Sequence, residues 1–312
     1  MGKVVAAAVV AGVAALVGLV VVVAVVAGSG AAGSSPGGDA GGTSDDSPGS
    51  GGVQSGASIP SGWLNLYQQA ATTCPGLSWS VLAAIGTVES ASGRSEAPGV
   101  WSGANVAGAE GPMQFEPATF AVHATVGPGG ARPPTPYDPV DAVYTAATLL
   151  CSDGAGSAAG LRGAVTDYNH SATYVDTVLT LTLAFQQNPS TSGTVVAALS
   201  FGAQQLGTPY LWGGTGSGGF DCSGLVQAAY RAAGIALPRV AQDQFDAGPA
   251  VAAGAGVQPG DLVFFGSGPS GVDHVGLYVG AGEMIDAPHT GAPVRFDDAD
   301  WADLVGATRP AK

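Results

Sequence analysis

Gly219-Phe220-Asp221-Cys222-Ser223-Gly224-Leu225, followed about fifty residues later by Asp273-His274-Val275-Gly276-Leu277-Tyr278-Val279-Gly280, decides how this chain is read. The first stretch puts a cysteine after a glycine-rich turn, at the opening of a helical pattern that runs to Ala233 and stops at Gly234. The second puts a histidine at the start of an apolar strand, where a polar side chain requires a reason. Backbone N–H groups at a helix start and a nearby imidazole both favour a thiolate, which is the nucleophile a thiol hydrolase needs. Cys222 is thus the expected nucleophile and His274 its base. His289 is the expected third, orienting group, with Asp286 or another polar residue as the alternative. The backbone N–H of Cys222 is placed to help hold an oxyanion.

Working outward, the residues around this pair change period from helix to strand. Residues 195–206 read as a helix. Leu262-Val263-Phe264-Phe265, Val275–Val279, Met284-Ile285-Asp286 and Val294-Arg295-Phe296 read as strands. Helices followed by strands predict an α+β domain over residues 194–312. Five segments in order resemble the NlpC-type cysteine peptidases of the papain-like superfamily, which are bacterial cell-wall endopeptidases. They are Gly207-Thr208-Pro209-Tyr210-Leu211-Trp212-Gly213-Gly214, Phe220–Leu225, Leu237-Pro238-Arg239, Gln258–Phe265 and His274–Gly280. The resemblance implies Cys222, His274 and His289 as catalytic residues. It implies Tyr210, Asp221 and Ser223 as substrate contacts beside the thiol, and cleavage of a peptidoglycan stem peptide after D-glutamate. Neither Cys-x-x-Cys pairing nor His-Glu-x-x-His is present, so no metal or cofactor is expected.

Upstream, residues 59–187 show helical spacing: Trp63, Leu64, Leu66 and Tyr67, then Trp79, Val81, Leu82, Ile85 and Val88, then Tyr144 to Leu150, then Tyr174 to Leu183. Glu89 ends the second of these helices behind an apolar face. Desolvation there would raise its pKa and make it a general acid near neutral pH. Glu89-Ser90, Gly111-Pro112-Met113-Gln114-Phe115-Glu116, Tyr137-Asp138-Pro139 and Asp167-Tyr168-Asn169-His170 recur in an order that resembles the lysozyme-like lytic transglycosylases. That resemblance implies Glu89 as catalytic acid/base, with Gln114, Met113, Tyr168 and Asn169 lining a sugar groove. A hydrolytic muramidase would more often need a second carboxylate, for which Glu96, Glu110 and Glu116 are available.

Residues 188–193 form a short polar break between the two halves. Residues 28–58 are a Gly/Ser/Pro linker with too little apolar surface to fold. Residues 1–27 hold one lysine and an apolar run long enough to span a bilayer, which predicts a transmembrane helix with everything after it exported. A cleaved signal, giving a secreted protein, is the alternative. In an exported chain Cys74 and Cys151 are expected to pair, or else to remain as two buried thiols. A net charge of -14 excludes the basic footprint of a nucleic-acid binder. The expected whole is multidomain: a transmembrane helix, a mostly-α lysozyme-like domain and an α+β papain-like domain. Its expected partners are peptidoglycan, the membrane and an envelope machine. A catalytically weak, wall-binding scaffold of a conjugation or secretion apparatus is the competing reading.

Overall fold

The computed structural model describes residues 58–311. The expected membrane helix and nearly all of the expected linker lie outside the described residues. Among the described residues no helix is long and apolar enough to cross a membrane.

The first half is helical, as its spacing predicts: α1 Ser61–Ala71, α2 Trp79–Ser90, α3 Pro117–His123, α4 Pro139–Ser152, α5 Ala158–Tyr168 and α6 Ala172–Gln187. Local chemistry sets the starts. Ser78, Asp138, Ser157 and Ser171 accept backbone N–H bonds at the N-caps of α2, α4, α5 and α6, and Pro117 and Pro139 occupy first-turn positions where a missing N–H costs nothing. Leu82, Ile85, Leu150, Leu181 and Phe185 are fully buried between these helices. Cys74 and Cys151 are joined in a disulfide that closes a sequence separation of 77 residues and ties the end of α1 to the end of α4. Replacing both by alanine is expected to lower stability by about 2–4 kcal/mol. Thermal unfolding under oxidising conditions, compared with the parent chain, measures it.

The second half begins with α7 Gly193–Gln204. It continues through a two-stranded ribbon, β1 Thr215–Gly216 and β2 Gly219–Phe220, then α8 Cys222–Ala232 and α9 Ala241–Ala247. It ends in strands β3 Leu262–Gly266, β4 Val272–Gly280, β5 Glu283–Asp286, β6 Arg295–Asp298 and β7 Leu304–Thr308. The large sheet is antiparallel with order β6-β5-β4-β3-β7. Alternation divides its side chains between two faces. Leu262, Phe264, Val275, Leu277 and Ile285 join the main core with the helices. Val263, Phe265, Tyr278 and Met284 form a second cluster on the other face. β7 and the small ribbon were not legible in the sequence pattern.

The polar break at 188–193 does not separate two independent cores. Asn188 caps the end of α6, Ser192 caps the start of α7, and one apolar cluster runs from Ile59 to Val294. Gln187 bridges the halves. Its amide donates to the Val257 carbonyl at 2.7 Å, and its oxygen accepts from the Tyr278 hydroxyl at 3.2 Å. α6 packs on α2 on one side and on β4 on the other.

Candidate functional site

Cys222 is the first residue of α8, and Asp221 is its N-cap. Asp221 uses both carboxylate oxygens within the chain. Oδ1 accepts from the Gly224 N–H at 2.7 Å and from Arg239 at 2.9 Å. Oδ2 accepts from the Gly213 N–H at 2.9 Å and from Arg239 at 2.6 Å. Gly224 permits this closure, because a Cβ there would strike the Gly214 carbonyl. Asp221, an expected substrate contact, thus holds loop, helix and arginine together. Ser223, the other expected contact on this helix, lies beside it. It is buried, and its hydroxyl accepts from Arg239 at 3.0 Å. Tyr210 stays half-buried near the thiol. Burial raises its hydroxyl above the usual range, with the Cys222 charge adding to this.

The Cys222 sulfur sits 3.9 Å from the Asp273 carbonyl, one residue before His274 on β4. His274 Nε2 lies 2.7 Å from Asp286 Oδ2. Asp286 ends β5 and is fully buried. Burial pulls the His274 pKa down. The Asp286 hydrogen bond, the Cys222 hydrogen bond and the charges of both groups outweigh it and raise the pKa to about 9. With Nε2 engaged by Asp286, Nδ1 is the ring atom left for the thiol.

His289 is the main correction. It is exposed, its Nδ1 lies 3.0 Å from the Thr290 carbonyl, and the structure does not bring it to His274. Asp286 takes that place for a simple reason. On a strand, Met284 and Asp286 project to one face of the sheet and Ile285 to the other. His274 shares the face of Tyr278 and Met284, so the carboxylate meets it there while the chain beyond carries His289 out to solvent. A buried acid closing an apolar strand was the signal available in the sequence.

The upstream acid has its own setting. Glu89 is half-buried near the end of α2, and its Oε1 accepts from the Tyr174 hydroxyl of α6 at 2.6 Å. Burial raises its pKa to about 7, although the Tyr174 bond works in the opposite direction. Burial also raises the Tyr168 and Tyr174 hydroxyls, and the Glu89 charge adds to both. Gly86 lets this group close up, since a Cβ there would run into the Tyr67 hydroxyl. Ala91 and Ser92, just after Glu89, and Gln114 adopt left-handed backbone with φ of 52°, 51° and 49°. Such strain in non-glycine residues clusters at functional sites.

Of the expected groove residues, Tyr168 donates to the Met113 carbonyl at 2.7 Å, and Gln114 bonds Asn105 and the Gly111 carbonyl, each at 2.8 Å. Met113 corrects its expected role. Its side chain is fully buried, so it is core and not groove wall. Asn169 is exposed, and its side chain accepts from the Ser171 N–H at 3.0 Å, turning the chain into α6. The Tyr174 hydroxyl was the residue missed here. It lies 85 positions from Glu89, and no local pattern announces it.

Comparison with known proteins places the second half. Residues 207–303 match the NlpC/P60 family. A γ-D-glutamyl-L-lysine dipeptidyl-peptidase of Bacillus subtilis is 44% identical over 106 residues, covering 33% of this chain and 36% of that protein. A probable endopeptidase of Mycobacterium tuberculosis is 43% identical over 118 residues, 38% of this chain and 30% of that protein. The chain thus spans about a third of the length of these relatives. A crystal structure of an NlpC/P60 family protein from Bacillus cereus is 35% identical, covers 38% of this chain and 40% of that one, and has a TM-score of 0.36. Helices α1–α6 lie outside the family match.

Proposed function

We propose that this chain, with its NlpC/P60 domain at residues 207–303, cuts peptidoglycan at two kinds of bond: stem peptides at Cys222 and glycan strands at Glu89. The observation that carries the first activity is His274 held by Asp286 at 2.7 Å with the Cys222 thiol as its other partner. The Cys222 thiolate attacks the carbonyl of the scissile amide. The His274 imidazolium gives its proton to the leaving amine, and the amide C–N bond breaks. The neutral imidazole then takes a proton from water as that water attacks the thioester, which releases the acid and restores the thiol pair. The name of the Bacillus subtilis relative supports a bond beside D-glutamate as the target.

The second activity rests on Glu89. A carboxyl with its pKa at about 7 still carries its proton over much of the acid-to-neutral range. It protonates the leaving glycosidic oxygen, and as a carboxylate it then accepts the proton of the muramoyl 6-hydroxyl that attacks in place of water, giving an anhydro end. One carboxyl is enough for that sequence, and this favours transglycosylation over hydrolysis. Residues 4–27 anchor the chain, with both sites on the outer side of the membrane.

The test is digestion of purified peptidoglycan by the full chain, with mass spectrometry of the products. New stem-peptide termini and new anhydromuramoyl ends are expected. Binding without either product would support the scaffold reading instead.

A pH dependence follows from the Asp286 bond. His274 holds its proton more tightly than usual, so leaving-group protonation persists through neutral pH and is lost as pH rises through about 9. Asp286→Asn removes the negative charge that helps hold that proton. Its alkaline limb is expected to fall below the parent's, read as peptide cleavage against pH.

A further inference from the structure

We infer that Trp301 is a positioning residue for His274, its indole face holding the imidazole ring in plane. This rests on the peptidase reading of Cys222 and His274. Trp301 lies in the turn between β6 and β7, where its carbonyl accepts from the Leu304 N–H at 3.0 Å. Its ring is half-buried and packs on the outer-face cluster of Val263, Phe265, Tyr278 and Met284. The ring centroids of Trp301 and His274 are 5.3 Å apart, with planes inclined by 21°, a stacked pair. Phe265, the cross-strand partner of His274, braces both. Its centroid is 4.8 Å from Trp301 and 5.9 Å from His274.

The edges and the face of the imidazole thus have different custodians. Asp286 on β5 holds Nε2, and Cys222 on α8 meets the other edge. These are the charged groups that act on His274 directly, while Arg295 and Asp297 of β6 act on Asp286. An edge contact alone lets the ring roll about its Cβ–Cγ bond. A face contact over the aromatic system stops the roll and keeps Nδ1 aimed at sulfur. The indole face also carries the negative end of a quadrupole, so it attracts the imidazolium more than the neutral ring.

Trp301→Leu keeps apolar bulk over the ring and removes the π face. Loss of a cation–π contact of ordinary strength is expected to move the His274 titration down by about half a pH unit. It is also expected to lower kcat several-fold with little change in KM, because a loosened base is felt in the chemical step. Trp301→Phe is expected to restore most of both. The titration is read by NMR of the imidazole protons in the full chain, with the His274 signal identified by its loss in His274→Gln. Trp301→Met serves the same comparison where the leucine variant does not fold. If the leucine or methionine variant titrates as the parent does and cleaves with the same pH profile, Trp301 is only a packing residue and the inference fails. Because the NMR reading needs no substrate, a chain that released no stem peptide while His274 still responded to Trp301 would sink the peptidase reading and leave the stack intact.

Discussion

Replacing Cys222 with alanine is expected to lower stem-peptide release by roughly 10⁴-fold or more while leaving glycan cleavage at the parental rate. Loss of a nucleophile in a covalent mechanism removes the route itself, and what remains is the small background that binding and oxyanion contacts provide. The fold should not suffer. Cys222 is half-buried at the first position of α8, and the cap that starts the helix is the Asp221 carboxylate, not the thiol. Muropeptide mass spectrometry reads both outcomes from one digest. An alanine variant that still released peptides at a tenth of the parental rate would take the nucleophile away from Cys222.

The complementary change is Glu89→Gln, expected to lower the yield of new glycan ends by about 10²–10⁴-fold and to leave peptide release untouched. Glutamine keeps the shape of the side chain and an oxygen for the Tyr174 hydroxyl, which donates to Glu89 at 2.6 Å. It lacks the proton that burial keeps on the acid near neutral pH. The same digest measures it through the count of anhydromuramoyl ends. Loss of both products in either single variant would contradict separable sites, since Cys222 and Glu89 belong to different halves with different partners.

The parts of this account that were legible in the sequence are those in which chemistry and local structure coincide. Cys222 opens a helix after a glycine-rich turn, His274 begins an apolar strand, and Glu89 lies at the end of an apolar helical run. In each case the backbone pattern and the reactive group are neighbours in the chain. Contacts between distant segments were harder. Asp286 and His289 are three residues apart, and only the sheet decides between them, by burying one against β4 and releasing the other to solvent. The bonds that Arg239 makes to Asp221 and Ser223, from 18 and 16 positions away, were not legible in the sequence. Met113 was expected in a groove wall beside Gln114, but only its carbonyl meets Tyr168 while its side chain turns into the core.

The joining of the halves has the same origin. A run of Asn, Pro, Ser and Thr reads as a break because it lacks apolar residues. Its role in the structure is to turn the chain between α6 and α7 while the flanking helices share one core. Gln187, just before that turn, supplies the polar seam against Val257 and Tyr278, residues 70 and 91 positions further on. A polar side chain at such a position hydrogen-bonds across the seam between the two halves.

The measurement that bears most directly on two independent sites is a pH series, from about 5.5 to 9.5, of both product classes in the same peptidoglycan digest. The two acids lose their protons at different points. Glycan cleavage is expected to fall through about pH 7 as Glu89 ionises, and peptide release to persist until His274 gives up its proton near 9. Two separate alkaline limbs, in that order, are the predicted result. A single limb shared by both products, or no peptide release at pH 8, would contradict the account.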